Sequence, residues 1–175
     1  VIGLGYIGLP LSLSFAISGF KVSGIDIDQT KINDLNNKTS YISDIESTFL
    51  QNVIKSNNID FSSDFTQLTS SDVIIICVPT PLNKTKDPDI SYIVAVAEEI
   101  AKFDITNKLI CLESTVYPGA TEEIILPILS KKSNLIIGKD FNLVFSPERI
   151  DPGQKEWDLE NTPKGILLWR AILQW

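Results

Sequence analysis

Residues Val1–Asp26 read VIGLGYIGLPLSLSFAISGFKVSGID, and this stretch decides the fold class. A short apolar run, Val1–Leu4, leads into the pattern Gly3-x-Gly5-x-x-Gly8. A helical run follows from about Leu9 to Ser18, with Gly19 placed to end it. Lys21–Asp26 then reads as a second strand that closes on a carboxylate. Strand, glycine turn, helix and second strand together form the context in which G-x-G-x-x-G carries meaning. Gly3 takes the tight turn, Gly5 lets the backbone approach a diphosphate, and Gly8 lets the helix pack closely on the strand. The helix start adds free N–H groups and about half a positive charge. Pro10, near the first turn, gives up an N–H for which the helix has no use. The candidate cofactor contacts here are Gly3, Gly5, Tyr6, Ile7 and Gly8.

Asp26 stands 18 residues beyond Gly8, where a carboxylate can accept both hydroxyl hydrogens of an adenosine ribose. Its charge repels a 2′-phosphate and no Arg follows it, so NAD is expected rather than NADP. Two plainer alternatives stay open: a structural turn without nucleotide, and a solvated carboxylate at a strand end.

Further along, short apolar runs continue to alternate with helical ones. Helices are expected at Gln29–Asn36, Ser47–Asn57, Asp89–Phe103 and Ala120–Leu129. In the third of these, Ile93, Val96, Ala97 and Ile100 share one face; in the second, Phe49, Leu50, Val53 and Ile54 do. Strands are expected within Asp60–Phe65 and at Asp72–Val78, Lys108–Glu113 and Asn142–Phe145. The run DVIIICV at Asp72–Val78 is apolar without alternation, as in a parallel sheet covered on both faces. The fold class is therefore α/β, a doubly wound parallel sheet of Rossmann type, whose ligands sit beyond the carboxyl ends of the strands.

Composition narrows the chemistry. The 175 residues include no His, which removes Ser-His-Asp and Cys-His catalysis and His-ligated zinc. No metal site is expected. A net charge of -7 argues against nucleic acid as a partner, because phosphate neutralisation needs clustered Lys and Arg. Cys77 and Cys111 lie in strand-like apolar runs and read as buried thiols. No apolar stretch approaches the ~18 residues of a membrane span, and no signal peptide is visible, so no membrane partner and a cytoplasmic location are expected.

The motifs VIGLGYIGLPL, GIDID with Lys31, CVPTP, ESTVYPGATEE and FSPERIDPG occur in this order. In that order and spacing the chain resembles the nucleotide-sugar 6-dehydrogenases, the UDP-glucose/GDP-mannose dehydrogenase family, over about residues 1–163. SYI at Ser40–Ile42, YPG at Tyr117–Gly119 and SPERIDPG look most like the branch acting on UDP-N-acetylhexosamines. The resemblance implies an NAD-binding domain over 1–150. It also implies that 151–175 begin the connection to a central domain and are aberrant from 165, where GILLWRAILQW replaces the family pattern. A frameshift, a truncation and real divergence remain alternative explanations of that tail. The central and C-terminal domains are expected to be missing, and with them the family's nucleophilic Cys; the full-length protein is expected to be a homodimer or higher homo-oligomer.

The same resemblance assigns roles. Pro79 and Thr80 would face the cofactor, with termination of the strand as the plain alternative. Thr115 would border the nicotinamide and position a catalytic water; capping the next helix is the alternative. Lys31 would lie near the adenosine end. Glu148 would stand where cofactor and sugar meet, working through water or on a thioester, and Arg149 would bind an acidic or N-acetylated part of the substrate. A surface Glu-Arg pair is the alternative reading of those two. The implied reaction oxidises a sugar C6 alcohol to a carboxylate in two hydride transfers to NAD, with a cysteine holding the aldehyde between them. Another Rossmann dehydrogenase, and an NAD-binding module without catalysis, are the rival functions. In the second case the apolar tail with Trp157, Trp169 and Trp175 would be an interaction surface; otherwise it is the remnant of a helix.

Overall fold

The computed structural model describes residues 1–83, 88–131 and 135–146, and the backbone of a strand at Leu167–Trp169. Glu148, Arg149, Trp157 and Trp175 lie outside the described residues. The described chain falls into two units, residues 1–65 and residues 66–146 with 167–169.

In the first unit the elements are α1 (Gly8–Ile17), β1 (Val22–Ile25), α2 (Gln29–Asn36), α3 (Ser47–Ile54) and β2 (Ile59–Ser62). β1 and β2 run parallel, Val22 opposite Ile59 and Ile25 opposite Ser62. The expected opening strand is reduced to one parallel bridge, Ile2 to Ile25. The chain turns away at Gly3, whose φ of 91° is left-handed backbone that a side chain would strain. α1 turns Leu9, Leu13 and Ala16 inward at the i, i+4, i+7 spacing of one helix face. They meet Leu4, Val22, Ile32, Leu35, Leu50, Val53 and Phe61 in one apolar core. The Asp28 carboxylate caps α2 by accepting from the Thr30 N–H at 2.9 Å. α3 stops at Ile54 rather than Asn57, because Asn57 takes a φ of 56° that no helix continues through. Of its expected apolar side, Leu50 and Val53 are buried but Phe49 is exposed. Gly24 in β1 lies under an aromatic ring: a Cβ there would stand 2.8 Å from Phe61 Cδ1 and 3.1 Å from Leu4 Cδ2.

In the second unit the elements are β3 (Val73–Ile76), α4 (Ser91–Ile100), β4 (Leu109–Leu112), α5 (Leu126–Lys131), β5 (Asn142–Phe145) and β6 (Leu167–Trp169). The strand order is β3-β4-β5-β6. The first two pairings are parallel, with Val73 opposite Leu109 and Leu109 opposite Asn142. The last is antiparallel, Val144 opposite Leu168, so the expected parallel sheet carries one antiparallel edge strand. An antiparallel edge strand on a parallel sheet is common in α/β domains. The same strand replaces the helical remnant expected around Trp169, since a short apolar run has no periodicity that separates helix from strand. Ile93, Val96, Ala97 and Ile100 of α4 are buried, as their spacing predicts. The expected helix at Ala120–Leu129 opens instead with a wide π turn, Thr121–Ile125, before α5. Pro127 gives the reason: its ring clashes with the carbonyl four residues back in α geometry, and a wider turn makes room.

Candidate functional site

The described candidate residues divide between the two units. In the first unit the glycine turn is held from two sides at Leu4, which is fully buried. The Leu4 N–H donates to Asp26 Oδ2 at 2.8 Å, and the Leu4 carbonyl accepts from the Tyr41 hydroxyl at 2.5 Å. The Gly3 N–H donates to the Ile25 carbonyl at 2.8 Å, which fixes the turn against the end of β1. A Cβ built on Gly5 meets nothing within 4 Å, so the turn is open where an incoming group would approach. No side chain caps the start of α1; within its first turn the Leu9 N–H donates to the Gly5 carbonyl at 3.1 Å and Pro10 has no N–H to offer.

Asp26 directly follows β1 and is only 6% exposed. Oδ1 accepts from the Asp28 N–H at 2.9 Å, and Oδ2 accepts from Leu4 and from Lys31 Nζ at 3.1 Å. A carboxylate offers about four acceptor positions, so most of its capacity is already engaged. It therefore enters any complex dehydrated and fixed, able to accept about one more hydrogen bond unless Lys31 turns aside. Lys31, half-exposed, is paired with Asp26 rather than free in solvent. Burial, followed by the charges of Asp26, Asp28 and Asp34, pushes the Tyr41 phenol well above its ordinary pKa, so it remains a donor.

In the second unit, Pro79 and Thr80 follow the end of β3, and Thr115 follows the end of the adjacent parallel strand β4. Ser114, buried, donates its hydroxyl to the Val78 carbonyl at 2.7 Å. That bond ties the segment carrying Thr115 to the segment carrying Thr80. Thr80 is half-buried and Thr115 exposed, so both are open to a ligand at the carboxyl ends of the strands. The Asp89 N–H closes the loop after Pro81 by donating to the Pro81 carbonyl at 2.7 Å. The Asp89 carboxylate then accepts from the Ser91 N–H at 2.9 Å, and these Ser91 bonds hold its pKa below the usual carboxylate value. Cys77 is buried just past β3 and Cys111 lies within β4. No group of His, Cys, Asp or Glu suited to a metal occurs among the described residues.

Sequence reading missed two residues of this arrangement, Tyr41 and Ser114. Tyr41 was visible only as part of the SYI motif, and its bond spans 37 positions that no local pattern reports. Ser114 sat beside Thr115 in EST, and its direction away from solvent has no signature in the sequence.

The strand–turn–helix geometry, the terminal acid and the ordered motifs define a Rossmann-type dinucleotide-binding domain. The chain belongs to the UDP-glucose/GDP-mannose dehydrogenase family, whose NAD binding domain matches residues 1–168. It is 40% identical over 166 residues to protein CapL of Staphylococcus aureus, covering 95% of this chain and 38% of that protein. It is 37% identical to the UDP-N-acetyl-D-glucosamine 6-dehydrogenase of Pseudomonas aeruginosa, covering 94% and 38% respectively. A solved UDP-N-acetylmannosamine dehydrogenase from Pyrococcus horikoshii superposes with a TM-score of 0.81 at 37% identity, over 87% of this chain and 36% of that one. The chain thus spans somewhat over a third of the length of these relatives. No helix among the described residues is long and apolar enough to cross a membrane.

Proposed function

We infer that this chain is the NAD-binding part of a nucleotide-sugar 6-dehydrogenase, acting on the C6 alcohol of a UDP-N-acetylhexosamine. The observation that carries the reading is the glycine turn at Gly3–Gly8, pinned at Leu4 and bordered by the buried carboxylate of Asp26. Its residues fit NAD. The space at Gly5 and the uncapped start of α1 suit a diphosphate, and Asp26 with Lys31 suits the adenosine ribose. Tyr6 and Ile7 lie in the same turn and would contact the diphosphate. In the second unit, Pro79, Thr80 and Thr115 would line the nicotinamide end, with Thr115 orienting a water through its hydroxyl. Glu148 and Arg149, outside the described residues, keep the roles the resemblance implies, Glu148 at the reacting carbon and Arg149 on the sugar.

NAD supplies the hydride acceptor; the protein supplies position and electrostatics. The UDP-N-acetylhexosamine reading is supported by the names of relatives at 36–37% identity and by the SYI and YPG motifs. Cys77, buried just past β3, and Cys111, within β4, would not serve as the nucleophile that captures the aldehyde, so the full oxidation would need residues beyond these. Isothermal calorimetry with NAD tests the reading. Binding is expected, with affinity falling about tenfold to a hundredfold in Asp26→Ala, the loss of one or two charge-assisted hydrogen bonds. Absence of heat from well-folded protein would overturn it.

A further inference from the structure

We propose that Tyr41 is a positioning residue for the diphosphate, aiming the Gly5 N–H through the peptide that joins Leu4 to Gly5. This rests on the reading of the glycine turn as the NAD site. A trans peptide is planar, so its carbonyl and its N–H point to opposite sides. The chain has no cis peptide among the described residues. Holding the Leu4 carbonyl toward Tyr41 therefore turns the Gly5 N–H the other way, away from the Tyr41 hydroxyl. At that residue the turn is open, since a Cβ on Gly5 would meet nothing within 4 Å.

The hold is specific. The Leu4 carbonyl is taken by a side chain from 37 positions away, at 2.5 Å, while the Leu4 N–H is taken by Asp26 at 2.8 Å. Leu4 is fully buried, so without the hydroxyl its carbonyl has no water to turn to. The peptide would then be free to rotate, and the donor it presents would lose its direction. The Tyr41 ring packs against the core that includes Leu4, Ile42 and Leu50, which fixes the hydroxyl in place. Asp26, Asp28 and Asp34 lie close enough to disfavour a phenolate, so the group stays a donor at neutral pH.

The test compares Tyr41→Phe with the unmodified chain in binding NAD and in binding adenosine, which carries the base and ribose but no phosphate. The expected result is about a tenfold loss of NAD affinity with adenosine affinity within twofold of the original. Ser56→Ala serves as the structural control, because it removes a hydroxyl bond of 2.7 Å to the Val53 carbonyl in the same unit, away from the turn. It should leave both affinities unchanged. Equal NAD binding by Tyr41→Phe would overturn the proposal while leaving the NAD reading intact. Parallel losses for NAD and adenosine, or failure of the variant to fold, would assign the hydroxyl to stability instead and overturn it as well. Failure of the unmodified chain to bind NAD would remove the parent reading first.

Discussion

The hydroxyl of Tyr41 sits where ionisation is opposed, first by burial and then by the carboxylates of Asp26, Asp28 and Asp34. Its folded pKa is raised, so its contribution to stability is complete below the unfolded value of about 10 and is lost as pH rises beyond it. Unfolding by urea between pH 9 and 11 should therefore show the unmodified chain losing stability more steeply than Tyr41→Phe; identical slopes would mean that the phenol titrates normally. Ser114 offers a second residue-scale test. Ser114→Ala leaves the Val78 carbonyl without its 2.7 Å donor and should cost about 1 kcal/mol in a denaturant titration. Neither role could be read from the sequence, because each joins segments far apart in it. Asp26 and the glycines were legible for the opposite reason: their chemistry is written within one strand–turn–helix unit. What stayed hidden at Asp26 was its occupancy, three hydrogen bonds that only the folded chain assembles.

At the scale of elements, spacing located most of what exists and mistook how some pieces end or pair. α2 and β5 fall at their expected limits because a capping Asp28 and a short apolar run mark them. The opening strand shrank to a bridge where Gly3 takes its left-handed turn, and α3 ended early where Asn57 does the same. The π turn ahead of α5 follows from Pro127, a residue in view whose effect on the preceding turn spacing alone does not report. Packing of strand on strand yields a sharper test. Gly24→Ala would press a methyl group against the Phe61 ring, and should destabilise the fold by about 1–3 kcal/mol in thermal or chemical unfolding. A smaller loss would mean that the ring moves aside at little cost.

For the molecule as a whole, family membership rests on motifs in order, and the TM-score of 0.81 to a solved relative agrees with the fold class read from them. NAD at a hundred times its dissociation constant should raise stability by about 2.7 kcal/mol, read as an upward shift in melting temperature. The same 175 residues are expected to give no NADH with UDP-N-acetylglucosamine, and steady absorbance growth at the NADH wavelength would refute this. One property of the first unit reaches beyond affinity. Leu4 is secured by partners 22 and 37 positions further on, one at the end of β1 and one in the loop before α3. The Leu4 N–H is buried and bonded to Asp26, so the amide of Leu4 should exchange with deuterium only when the surrounding unit opens, and not by fraying of the chain near it.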